Sequence, residues 1–276
     1  MQTLYKLDTK KNVRYLKIWT ENELLFQESG IVGTDNPVTH QKICKVKNKG
    51  KSNETTPSEQ ALAELTSKVK DKLTEGYFET QEEASTELVI LPMLAKDYKE
   101  HKSKVKWDNV WGQPKLDGMR CLAYKHKNNI ILKSRDGKMI ENMDHIKIAL
   151  ANLPEDFILD GELYCHGLSF QENMKLIKKY RPGETEKISY HVYDNVQNKE
   201  FSFRYLDLFT CFEAIGPIKI VETIQLASED LLKQFHEQNI KDGYEGSMVR
   251  HSSTEYKVNG RSSSLLKLFL QTLLAS

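Results

Sequence analysis

An α+β chain of two unequal domains with mainly antiparallel sheets is what this sequence predicts, and three observations carry the prediction. The 276 residues are 39% hydrophobic, enough for a packed core and, at one to two hundred residues per domain, for one large domain or two of unequal size. Short apolar segments alternate with turn residues along most of the chain. Candidate helices fall between strand pairs joined by tight turns, which favours segregated helices and antiparallel pairing.

The elements follow in order. Tyr5, Leu7, Val13, Tyr15, Leu16, Ile18 and Trp19 mark short strands, with Gly30, Gly33 and Asp35-Asn36-Pro37 as turns. A lysine-rich stretch, Lys42, Lys45, Lys47, Lys49 and Lys51, has no acid until Glu54. A helix then starts: Thr56 caps, Pro57 suits the first turn, and Glu59 completes a capping box. Leu62, Leu65, Val69 and Leu73 form its apolar face, and Gly76 ends it. Residues 79–87 are polar and acidic and read as a linker. The predicted boundaries are a small α+β domain at 1–80, a larger one at 81–270 and a tail at 271–276. In the larger domain the candidate strands are 120–124, 130–134, 157–160, 188–193, 218–224 and 247–250, and the candidate helices are 142–152, 169–179 and 228–239.

Composition excludes several classes. With 40 basic against 39 acidic side chains, any surface for a polyanion must be local. Cys44, Cys121, Cys165 and Cys211 include no C-x-x-C pair, which argues against a zinc site or a disulfide framework and fits a reducing compartment. No segment reads as a signal peptide or a membrane span, so the expectation is a cytoplasmic or otherwise intracellular protein, the nucleus included. There is no G-x-G-x-x-G and no G-x-x-x-x-G-K-[ST].

The chemistry concentrates in a few stretches. Gln113-Pro114-Lys115-Leu116-Asp117-Gly118-Met119-Arg120 places Lys115 where one strand ends and Arg120 where the next begins, with Pro114 at an edge or strand start. A lysine on a rigid strand end is a nucleophile once its ammonium loses a proton. Asp160-Gly161-Glu162 sets two carboxylates around a turn glycine within an apolar strand, and Glu245 lies between glycines before the apolar Met248-Val249. Lys267 stands in an apolar run, which is unfavourable unless its ammonium meets an anion. Two lysines for a phosphate and two carboxylates for a divalent cation are an inventory for phosphoryl or nucleotidyl transfer.

In this order the stretches resemble the covalent nucleotidyltransferase superfamily of DNA ligases, RNA ligases and mRNA capping enzymes. The signature K-x-D-G-x-R is Lys115 to Arg120, D-G-E is Asp160-Gly161-Glu162, the aromatic-Asp motif is Tyr190-His191-Val192-Tyr193-Asp194, E-G-x-M-V is Glu245 to Val249, and the last lysine motif is Leu266-Lys267. Pro92-Met93-Leu94-Ala95, Ser134-Arg135-Asp136-Gly137, Phe201-Ser202-Phe203-Arg204 and the run from Arg250 to Arg261 are similar to ATP-dependent DNA ligases in particular. The resemblance covers about residues 88–268.

It implies an ATP-grasp-like nucleotidyltransferase domain of antiparallel sheets flanked by helices, using ATP and Mg²⁺ to seal nicked double-stranded DNA through a lysyl-AMP. Lys115 would attack the α-phosphorus and Lys267 would neutralise the α-phosphate. Gln113 would face the adenine amino group, Arg120 the ribose or phosphates, Tyr193 one face of adenine, and Met248 or Val249 the other. Glu162 and Glu245 would hold Mg²⁺, and Arg135 the 5′-phosphate of the nick. Arg204 and Arg261 are read equally as salt-bridged surface groups or substrate contacts. The first domain is more faintly similar to a WGR-type domain, with Glu28-Ser29-Gly30 in place of the naming triad, and Lys42 to Lys51 would supply phosphate contacts.

The pattern breaks at Phe269, where a second lysine is usual, and in the apolar end that follows it. The family's C-terminal OB-fold is expected to be absent, from a truncated or frameshifted gene or because a partner protein supplies it, with slow adenylylation as the consequence. RNA ligase and a catalytically impaired nucleic-acid-binding remnant stand as alternatives.

Overall fold

The computed structural model describes residues 1–8, 10–86, 90–126, 128–211 and 215–269. The chain forms two compact units, Met1–Val89 and Ile90–Ser276. In the first, β1 (Gln2–Leu7), β2 (Val13–Glu21), β3 (Leu24–Ile31) and β4 (Val38–Ile43) form an antiparallel meander, followed by α1 (Pro57–Thr74) and α2 (Gln81–Ser85). Alternation along the strands turns Leu4, Leu16, Ile18 and Leu25 inward, where Ala61 and Leu65 of α1 cover Leu16, Ile18 and Leu25. The capping box of Thr56 and Glu59 forms and Gly76 takes a positive φ of 82°. The expected face holds at Leu65 and Val69, but Ala61 is buried in place of Leu62, which is exposed. The expected linker contains α2, capped by Thr80, which packs on β1 and β2 and moves the boundary beyond residue 80.

The second unit runs β5 (Leu94–Asp97), α3 (Tyr98–His101), β6 (Val110–Lys115), β7 (Met119–His126), β8 (Asn129–Ser134), α4 (Asp144–Ala149), β9 (Ile158–Tyr164), α5 (Phe170–Lys178), β10 (Ser189–Asn195), α6 (Phe201–Cys211), β11 (Ile218–Ile220), β12 (Ile224–Leu226), α7 (Glu229–Lys241), β13 (Gly246–His251) and β14 (Arg261–Phe269). Two five-stranded sheets result, ordered β11-β10-β9-β7-β8 and β12-β6-β13-β14-β5. Pairing is mainly antiparallel, with β10–β11 and β14–β5 parallel. One face of the first sheet packs the main core, Cys121, Ala123, Leu132, Leu159, Leu163, Tyr190 and Val192, against Ile146, Leu176, Ile177 and Leu208 of the helices. The second sheet buries Val110, Val249, Leu266 and Leu268 against Leu232 of α7.

Several expectations change. The expected 218–224 strand is two strands, β11 in one sheet and β12 in the other, so this segment crosses between them. Phe201–Cys211 is helical. Pro114 is not at the start of a strand but near the end of β6, which is flanked by β12 and β13. β12 pairs only with Val110, Trp111 and Gly112, so at Pro114 the strand has a partner on one side alone. Gly161 is no turn residue either: it sits mid-strand in β9, where a Cβ would stand 2.5 Å from the His191 carbonyl oxygen. The tail expected at 271–276 lies outside the described residues.

Candidate active site

Lys115 closes β6 and Arg120 is the second residue of β7, and these strands belong to different sheets. Leu116 to Gly118 therefore make the crossing that sets the two sheets' side chains against each other. A Cβ on Gly118 would meet the Leu163 carbonyl oxygen at 2.3 Å, so the crossing needs glycine there.

In the second sheet the register builds three rows. Lys115, Gly246 and Phe269 stand side by side, as do Gln113, Met248 and Lys267, and then Trp111, Arg250 and Leu265. Gly246 is forced by contact, because a Cβ there would lie 2.0 Å from the Leu268 carbonyl oxygen. Lys115 Nζ donates to Glu245 Oε2. The Phe269 ring lies 5.1 Å from Lys115 Nζ and 4.9 Å from Lys267 Nζ, so both ammoniums share one aromatic ring.

The first sheet contributes Asp160 and Glu162, two apart on β9 and hence on one face. Arg120 forks onto Asp160 with Nε at 2.9 Å and Nη2 at 2.6 Å, and the Tyr256 hydroxyl donates to Asp160 at 2.6 Å. Glu162 is the register partner of Arg120. Burial pushes its carboxyl up to about 8, against the opposing pull of Arg120 and Lys115.

Beside these groups lies a buried network the sequence did not reveal. Asp194 accepts from Arg204 Nε at 2.8 Å and Nη2 at 3.0 Å, and from Arg250 Nη1 at 2.6 Å. Arg204 and Arg250 are 1% and 3% exposed and Asp194 is fully buried, so one carboxylate serves two desolvated guanidiniums. Arg204 is thus neither a surface group nor placed for substrate. Arg250 Nε donates to Gln113 Oε1 at 2.6 Å, while Gln113 Nε2 donates to the Tyr193 carbonyl oxygen and to Thr223 Oγ1. The guanidiniums of Arg120 and Arg250 lie 5.7 and 5.5 Å from the Tyr193 ring centre.

The expected site residues therefore divide. Gln113, Lys115, Arg120, Glu162, Tyr193, Glu245, Met248 and Lys267 come together. Val249 does not: it is buried in the core behind β13. Arg135 stands apart in the turn after β8, 63% exposed, with its Nε 3.6 Å from Asp136. Arg261 donates to the Ala95 carbonyl oxygen. Among the described residues no three His, Cys, Asp or Glu side chains gather as a metal cage. The two glutamates suit an ion that takes one or two carboxylates and completes its shell with phosphates and water, as Mg²⁺ does. Asp194, Tyr256, Arg250 and Thr223 escaped the sequence reading. Asp194, Arg250 and Tyr256 carried a signal, by standing in stretches already singled out, and Thr223 carried none.

The described fold is a mixed α+β pair of five-stranded sheets with Lys115 and its neighbours at the crossing between them. The chain belongs to the ATP-dependent DNA ligase domain family, whose profile, described as "ATP dependent DNA ligase domain", matches residues 92–268. Among curated proteins it is similar to the DNA ligase of African swine fever virus (isolate Warthog/Namibia/Wart80/1980), 27% identical over 233 residues that make up 78% of this chain and 54% of that protein. It is also similar to DNA ligase 4 of Coprinopsis cinerea, 24% identical over 182 residues, 56% of this chain and 18% of that one. The chain thus spans about half the length of the viral relatives it matches, at 54%. Among solved structures, one from a study of Lig E DNA ligases aligns with TM-score 0.56 and 26% identity over 66% of this chain and 69% of that chain. Chlorella virus DNA ligase-adenylate aligns with TM-score 0.54 and 26% identity, over 66% and 68%. Among the described residues no helix is long and apolar enough to cross a membrane.

Proposed function

We propose that this chain carries out ATP-dependent adenylyl transfer for sealing nicks in double-stranded DNA, with Lys115 as the covalent AMP carrier. The observation that carries the reading is the meeting of Lys115, Glu245, Glu162, Arg120 and Lys267 from four different strands and one loop at a single seam. Lys115 is tethered at the end of β6, so its amine approaches a bound nucleotide along a restricted path.

Before attack the ammonium must release a proton, and Glu245, already hydrogen bonded to it, is the group placed to take that proton. The Lys115 nitrogen then bonds to the α-phosphorus, the bond from that phosphorus to the bridging oxygen breaks, and pyrophosphate leaves. Lys267 and Arg120 hold the charge that grows on the phosphate oxygens. Mg²⁺, held by Glu162 and the nucleotide's own phosphates, and by Glu245 until it takes the proton, would supply further charge neutralisation. Tyr193 and Met248 flank the base and Gln113 meets its edge. In the second step the bond from Lys115 to phosphorus breaks as a 5′-phosphate contacted by the exposed Arg135 takes the AMP; in the third the 3′-hydroxyl bonds to that 5′-phosphate and AMP leaves.

The first unit is assigned a supporting contact to the DNA backbone, in keeping with its WGR-type resemblance. Lys42 is committed to Glu64 at 2.6 Å, so the contact falls to Lys45, Lys47, Lys49 and Lys51.

A second reading, an impaired enzyme that still binds nucleic acid, is favoured by Phe269, which puts an apolar ring beside both lysines. One assay separates the readings. The protein is incubated with Mg²⁺ and α-labelled ATP, GTP or NAD⁺, then offered nicked DNA or nicked RNA. Alkali-stable, acid-labile label from ATP that is lost in Lys115→Ala and discharged by nicked DNA is the expected result. Label discharged only by RNA, or no label with nicked duplex still bound, contradicts it.

A further inference from the structure

Gln113 has two amide hydrogens and two carbonyl lone pairs to place. Both hydrogens are taken, one by the Tyr193 carbonyl oxygen at 3.1 Å and the other by Thr223 Oγ1 at 2.8 Å. One lone pair is taken by Arg250 Nε at 2.6 Å. The partners fix which end of the amide is which, since a guanidinium can only donate and a backbone carbonyl can only accept. Thr223 could in principle do either, but its own hydrogen goes to the Val221 carbonyl oxygen at 3.1 Å, leaving its oxygen to accept. The hydrogen bonds thus run in one direction, from Arg250 to Gln113, from Gln113 to Thr223 and from Thr223 to Val221. Thr223 lies in the link between β11 and β12, where the chain crosses from one sheet to the other.

The one hydrogen-bonding capacity that Gln113 retains is a carbonyl lone pair. It can receive a donor and repels another acceptor. A purine with a 6-amino group presents the donor, and a purine with a 6-keto group presents the acceptor. We propose that Thr223 is a positioning residue for nucleobase selection: its hydroxyl holds the Gln113 amide so that only an acceptor remains for the base, favouring adenine over guanine. The inference rests on the nucleotide-binding reading above and adds to it a residue that none of the sequence motifs contains. Without the hydroxyl, one amide hydrogen loses its partner; Arg250 and Tyr193 still set which end of the amide is which, but the freed hydrogen can tilt toward a 6-keto oxygen.

The test is equilibrium binding of ATP and of GTP to the whole chain by titration calorimetry in EDTA, which removes the metal and stops turnover. Wild type, Thr223→Val and Thr223→Ser are compared, with far-ultraviolet circular dichroism to confirm folding. The wild type is expected to prefer ATP, Thr223→Val to lower the ATP-to-GTP affinity ratio about fivefold or more, and Thr223→Ser to stay within about twofold of wild type. A ratio unchanged in Thr223→Val, equal losses in both variants, or no preference in the wild type overturns the proposal. If the wild type binds neither nucleotide, the nucleotidyl-transfer reading itself fails. If it binds ATP well and Thr223→Val keeps the wild-type ratio, only the role of Thr223 fails.

Discussion

Asp194→Asn is the substitution that reports most clearly on the buried network. The side chain keeps its volume and loses its charge, so no cavity opens and the effect is electrostatic. Asp194 faces two guanidiniums, Arg204 and Arg250, at 2.6–3.0 Å, and neither is more than 3% exposed. Arg204 has further acceptors in the Lys199 and Thr254 carbonyl oxygens, and Arg250 has Gln113, so the hydrogen bonds are replaced only in part and the charges not at all. Removing one partner from a buried pair costs about 3–5 kcal/mol, mostly as the penalty for the unpaired charge left behind. A unit of this size loses about 2–4 °C of melting temperature per kcal/mol, so a fall of about 6–20 °C is expected in its transition. Urea unfolding gives the free energy directly, with an unchanged slope showing that the denatured state is not the cause. Adding Arg250→Met to Asp194→Asn leaves one orphan guanidinium instead of two and should restore part of the loss. A loss below about 1 kcal/mol, or a double variant less stable than the single one, would refute the reasoning.

Gly246→Ala should cost at least about 2–3 kcal/mol and abolish self-adenylylation, because the new methyl meets the Leu268 carbonyl oxygen and pushes β14, with Lys267, off β13. Chemical unfolding together with ATP labelling checks this. His191 is held down to about 4 by burial first, then by Lys219 and His166, so it folds neutral; Tyr164 packs edge-on against it and Glu162 is its neighbour on β9. A depressed histidine contributes stability above its unfolded value of 6.5 and loses it as the pH falls to about 4, a difference of about 3 kcal/mol. Unfolding free energies measured over that range should therefore fall less steeply in His191→Gln than in wild type. Replacing Lys45, Lys47, Lys49 and Lys51 by Gln should weaken nicked-duplex binding. The plot of log affinity against log salt, measured by fluorescence anisotropy, should flatten by about 0.9 for each phosphate that these lysines no longer neutralise. An unchanged slope would remove the first unit from the DNA surface.

How much of this was legible in the sequence depended on how local the cause was. Helix α1 could be read because its signals, Thr56, Pro57 and Glu59, act within one turn. Lys115 and Arg120 could be placed at strand ends because Asp117-Gly118 marks a break in the chain. That the two strands lie in different sheets could not be read, since a local turn signal does not say which partner each strand will find. Gly161 misled for the same reason: glycine serves both turns and close approaches, and the His191 backbone that demands it is thirty residues away in the chain. In the site, Glu162 and Lys267 were visible because charged residues stood in apolar runs, Glu245 because glycines flank it ahead of an apolar strand, and Lys115 because it precedes the Asp117-Gly118 break. The partners of Gln113 were not visible. Its amide could be seen as an acceptor for a base, but Arg250, Tyr193 and Thr223 reach it from three other segments.

The central claim is that Lys115 forms a bond to a nucleotide's α-phosphorus. Its most direct measurement is peptide mapping by tandem mass spectrometry after incubation of the whole chain with ATP and Mg²⁺. The account predicts an AMP adduct on the peptide spanning the β6–β7 crossing, localised to Lys115 and missing from Lys115→Arg. An adduct on another residue, or an adduct that persists in Lys115→Arg, would contradict it.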